Sequence, residues 1–118
     1  MATVKPERVD TPLDGPGLTL YVWRGLAAGD TAVPVRAAGA AMIVQWTAGL
    51  FGGTTGLEGA LDPNLDTAHY NTLNDEQGNA LNGIIVSRIE AVLERCYFVR
   101  PIVNAGLNGV DVWLLLRR

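Results

Sequence analysis

The sequence predicts an all-β protein: an antiparallel β-sandwich or jelly-roll-like barrel of about eight short strands, preceded by an extended N-terminal arm. Three observations carry this expectation. Short runs rich in β-branched and aromatic residues alternate between the two faces of a pleated strand. Clusters of Gly, Pro, Asn and Asp interrupt the chain at intervals of about 8–12 residues. No amphipathic run is long enough to be the crossover helix that a parallel sheet requires.

Residues 1–17 are read as the arm, and residues 18–118 as a single β domain. The arm holds Pro6, Pro12, Pro16, Gly15 and Gly17 among charged residues. Each proline removes a backbone donor and biases its predecessor away from helix. Val4, Val9 and Leu13 are apolar residues spaced along this arm, a pattern suited to docking in shallow grooves of another chain. They are the candidate partner-binding residues.

The domain opens with "LTLYVWR" (18–24), where Leu18, Leu20 and Val22 share one parity and Tyr21 and Trp23 the other. "TAVPVR" (31–36) reads as an edge strand because Pro34 cannot donate to a ladder. "AAMIVQWTA" (40–48) is the clearest strand, with Met42, Val44 and Trp46 on one face and Ile43, Gln45 and Thr47 on the other. The glycine-rich "GLFGGT" then reverses the chain into "TTGLEGAL" (54–61), and the two runs read as a hairpin. "DPNLD" (62–66) and "NDEQGN" (74–79) are turns flanking "AHYNTL" (68–73). "ALNGIIVS" (80–87) follows. "RIEAVLE" (88–94) fits either a short helix or a strand. "CYFVRPIVN" (96–104) and "VDVWLLLR" (110–117) complete the sheet, and Trp46 and Trp113 are expected in the core.

Composition limits the function. The chain has 118 residues, enough for one self-sufficient core. Its hydrophobic fraction is 48% and its charged fraction 18%, under-charged for a freely soluble monomer, which hints at apolar surface reserved for a partner. The net charge of -3, with scattered Lys and Arg, lacks the basic footprint of a nucleic-acid binder. One cysteine, Cys96, allows neither an internal disulfide nor a thiolate zinc cluster. The first residues contain no apolar signal-peptide core, and no apolar run is long enough to span a bilayer, so the expectation is a soluble protein made in a cytosol.

Glu58, Asp62, Asp66, Asp75, Glu76 and the single histidine, His69, are the residues closest to a chemistry-bearing cluster. A glycosidase needs two carboxyls facing one substrate. Here all the acids but Glu58 sit in turns beside Pro, Asn and Gly, where carboxylates cap backbone amides. "DPNLD" offers oxygen ligands but lacks the spacing of a calcium loop. Cys96 starts an apolar strand and reads as inert packing. "GLFGGTTG" has no following Lys or helix and is not a phosphate-binding loop. The expectation is therefore no catalytic residue, no metal and no cofactor.

The order of motifs resembles a group of small structural proteins of tailed bacteriophages, of the capsid decoration or cement type. The residues concerned are "VQWTAGLFGG", "LEGAL", "TLNDEQGNAL", Ile89–Glu94, "YFVRPIV" and the closing "LLLRR". In such proteins a "Ser-Asn-Asp-Gly…Trp" segment usually follows Glu-Gly. Here "ALDPNLDTAHY" stands instead, with Tyr70 near the tryptophan position. The resemblance implies a non-enzymatic virion protein on the capsid surface, a homo-oligomer (dimer or trimer) whose partner is the major capsid protein. A tail, baseplate or head-completion component and a carbohydrate-binding module are the alternatives.

Overall fold

The structure is a computed structural model that describes residues 2–9, 17–48, 52–104 and 108–118. It is all-β, and no helix occurs among the described residues. Among the described residues eleven strands follow one another: β1 (Thr3–Val4), β2 (Glu7–Val9), β3 (Leu18–Ala27), β4 (Thr31–Ala32), β5 (Val35–Arg36) and β6 (Ala41–Thr47). Then come β7 (Thr55–Ala60), β8 (Asn71–Thr72), β9 (Arg88–Ala91), β10 (Phe98–Val103) and β11 (Asn108–Arg117). Setting aside the four two-residue strands leaves seven, close to the about eight expected from the sequence.

Two antiparallel sheets form the sandwich. One has five strands in the order β2-β3-β11-β6-β9, the other four in the order β5-β10-β7-β8. A small parallel pair, β1-β4, stands beside them. The alternation in β6 sets its inner face: Met42, Val44 and Trp46 are buried, while Ile43 and Gln45 are exposed. β11 does the same with Val110, Val112, Leu114 and Leu116. From the other sheet Leu57, Val99 and Pro101 point inward. The indoles of Trp23 and Trp46 are fully buried between the layers, and each donates its N–H, to the carbonyls of Val33 (2.8 Å) and Gly56 (3.3 Å). A buried indole needs such a partner.

Several expectations are corrected. β6 and β7 do not form a hairpin: they lie in different sheets. Residues 88–91, which fitted either a helix or a strand, are a strand that closes the edge of the five-stranded sheet against β6. Trp113 is only half-buried and sits on the outer face of β11, opposite in parity to the core residues Val112 and Leu114. The arm reading does not describe residues 2–9. β1 pairs with β4, β2 pairs with β3, and the Asp30 carboxylate accepts the Ala2 N–H (2.9 Å). Val4 packs against the core, and Val9 lies beside Leu20 within the sheet. Both belong to paired strands of their own chain rather than to a free arm. Leu13 lies outside the described residues.

Candidate functional site

The acid-rich region folds into capped turns. Asp62 accepts the Asn64 N–H (2.9 Å) and the Thr67 hydroxyl (2.7 Å). The Thr67 hydroxyl and then the Asn64 amide hold its carboxyl below the usual carboxylate range. Asp66 is exposed, and its own N–H donates to the Asn64 side chain. Asp75 is buried and accepts the N–H groups of Gln77 (3.0 Å) and Asn79 (2.9 Å), closing the turn that Gly78 completes with positive φ. Such Asx caps satisfy amides that would otherwise be unpaired. Glu94 works similarly across 20 residues, accepting both the backbone and side-chain N–H of Asn74 (2.8 and 2.6 Å). Burial pushes the Glu94 carboxyl up, but the two Asn74 bonds outweigh it and leave the net pKa low.

Glu58 stands opposite Arg100 on the neighbouring strand and accepts its Nε–H at 2.6 Å. The Arg100 guanidinium lies 3.8 Å from the centre of the Tyr70 ring. This half-buried Glu–Arg–Tyr stack knits β7, β10 and the 61–70 loop together through an ion pair and a cation–π contact. The Tyr70 hydroxyl is buried without a hydrogen-bond partner, and burial raises its pKa. His69 is exposed and lines an open hollow of about 470 Å³ with Asp62, Glu94, Arg95 and Cys96. Burial, reinforced by the Glu94 charge, pushes the Cys96 thiol up to about 11, so it is protonated at neutral pH. Among the described residues no group of three or more His, Cys, Asp or Glu is placed to hold a metal ion.

The feature that sequence reasoning missed is the outer face of the five-stranded sheet. Strand register places Val9, Leu20, Leu115, Ile43 and Ala91 side by side, one from each strand, in an unbroken aliphatic row. The adjacent row reads Glu7, Val22, Trp113, Gln45 and Ile89. Arg24 lies 5.2 Å from the centre of the Trp113 ring and also pairs with Glu7 at 2.9 Å. At the opposite end of the face an open hollow of about 540 Å³ is bounded by Leu18, Ala41, Ile43, Ala91, Leu115 and Arg117. The available signal was that residues 112–116 are apolar at both parities. A strand buried on one face alternates; a strand covered on both reads as a continuous apolar run.

No protein-family model matches the chain, and no curated protein sequence matches it. Among solved structures, the chain is similar to the crystal structure of protein NMB1881 from Neisseria meningitidis, with a TM-score of 0.44 and 12% identity. The similarity covers 96% of this chain and 83% of that one.

Proposed function

We propose that this chain is a non-enzymatic structural protein that decorates and stabilises a tailed-bacteriophage capsid by binding the outer surface of the major capsid subunits. The motif order from "VQWTAGLFGG" to "LLLRR" supplies the phage assignment. The observation that carries the binding role is the amount of large apolar surface left in solvent. Leu61, Leu65, Ile85 and Val86 are all more than half exposed in loops, besides Ile43, Ile89 and Leu93. Scattered single exposures are ordinary, but paired apolar residues at loop tips fit a protein whose work is buried contact.

The chemistry-bearing residues favour the same reading. Asp62, Asp75 and Glu94 have their oxygens committed to turn and loop amides, and Glu58 is committed to Arg100. A sugar-binding platform needs exposed, coplanar aromatics, whereas Trp23 and Trp46 are fully buried and Trp113 lies beneath Arg24. The test is loading onto purified empty shells of the same virus, read by co-sedimentation. Saturable binding at a fixed ratio to the major capsid protein is expected, weakened at least about tenfold by Leu61→Glu or Val86→Glu. Binding only to tails, or none to either part, overturns the reading.

A further inference from the structure

We infer that the outer face of the five-stranded sheet is the self-association surface of this protein, covered by the same face of a second copy. The inference stands apart from the shell reading, since it concerns what the chain does before it meets any shell.

Size is the first argument. Side chains on one face of a sheet occupy a grid of about 4.8 by 6.7 Å, or about 32 Å² each. Four outward positions each on β3, β6 and β11 and two each on β2 and β9 make sixteen, about 510 Å² in plan before side-chain relief is added. Each partner in a standard interface contributes about 800 Å² of accessible surface. With that relief the face approaches one partner's share, an apolar centre around Leu115, Ile43 and Trp113 rimmed by Glu7, Arg24, Asp111 and Arg117.

Self-complementarity is the second. Place a two-fold axis in the plane of the face, perpendicular to the strands. The strands of the two copies then run antiparallel across the interface, an aligned sandwich packing. The aliphatic row through Leu115 falls on the partner row through Trp113, and the reverse. Each indole meets the Leu115–Ile43 edge of the facing hollow. The ends also match in charge. Arg117 is exposed at one end of β11, and Asp111 lies at the other. One Asp111 oxygen accepts the Gly25 N–H at 2.8 Å, while the second is 3.9 Å from Arg24, too long to saturate it. That oxygen is open to a facing Arg117.

Sedimentation velocity from 1 to 200 µM, with Ile43→Glu, Leu115→Arg and Leu61→Glu beside the unsubstituted chain, tests this. Ile43 points away from the core and is 41% exposed, so a glutamate there leaves folding intact, as circular dichroism verifies. The full chain should dimerise. Ile43→Glu and Leu115→Arg should each weaken the dimer at least about 100-fold, because each buries two unpaired charges per interface. Leu61→Glu, off the face, should not. Trp113 should be quenched by iodide in the monomer and shielded in the dimer, since Trp23 and Trp46 are fully buried in either state. A monomer throughout the range, a trimer or larger ring, or a dimer indifferent to Ile43→Glu would each overturn the assignment.

Discussion

Gly56→Ala probes the packing of β7 against residues 81–84. A Cβ at Gly56 would lie 2.3 Å from the Leu81 carbonyl oxygen and 2.9 Å from Asn82 Cα. Both contacts are to backbone, so no rotamer change relieves them. The segment opposite is pinned. Leu81 accepts the Leu57 N–H (2.9 Å) and donates to Leu73 (2.8 Å), and Thr55 and Ile84 exchange two bonds of 3.0 and 2.9 Å. Gly56 itself accepts the Trp46 indole N–H. Moving β7 away by about 1 Å strains three or four bonds worth about 1 kcal/mol each and adds about 1–3 kcal/mol of overpacking. The expected cost is about 4 kcal/mol, a large share of the roughly 5–15 kcal/mol that holds a domain of this size. Urea unfolding followed by tryptophan fluorescence gives the number. Gly39→Ala is the control: its φ is +81°, but nothing lies within 4 Å of the added carbon, so only about 1 kcal/mol of backbone strain is expected. If Gly56→Ala unfolded within about 1 kcal/mol of the unsubstituted chain, the close approach of β7 to residues 81–82 would be refuted.

Other outcomes are open to measurement. Deleting residues 2–9 should lower the melting temperature by at least about 5 °C, since it removes β1, β2 and the Ala2–Asp30 bond; an unchanged value would restore the free arm. Cys96 should stay unmodified by a thiol reagent at pH 8 in the native state and react fully in urea, whereas rapid native labelling would contradict its burial. Asp30, Asp62 and Glu94 have folded pKa values below their unfolded values of 3.8, 3.8 and 4.5. Their contribution is therefore complete above those values and lost as pH falls through the folded ones. Melting temperature should drop as pH falls below about 4.5, less steeply in Glu94→Gln; identical acid slopes would remove Glu94 from this role.

The sequence made the fold class and much of the core legible because period-two alternation is a local signal. Met42, Val44 and Trp46 could be assigned to one face from seven consecutive residues, and they are all buried. Pairing partners could not be read in this way. A glycine-rich reversal between two strands looks the same whether the strands pair or lie in different sheets, and β6 and β7 lie in different sheets. Prolines mark residues 1–17 as extended backbone, and extended backbone serves equally as an edge strand, as residues 3–4 and 7–9 do. The acid-rich turns were legible, since Asp beside Asn and Gly declares its cap locally. The apolar outer face was the hardest to see. It draws one residue from each of five strands spread between Val9 and Leu115, and its row exists only once the register is set. Trp113 illustrates the ambiguity: among five apolar neighbours a tryptophan reads as core, yet its parity turns it outward.

The role proposed for this protein is buried contact rather than chemistry. The proposed capsid role is tested most directly by quantitative mass spectrometry of purified, intact particles of a tailed phage encoding this chain. The account requires the chain to be present at a fixed, integral ratio to the major capsid protein and to stay with the shell when tails are removed. Absence from particles, or recovery only with the tail fraction, would contradict it.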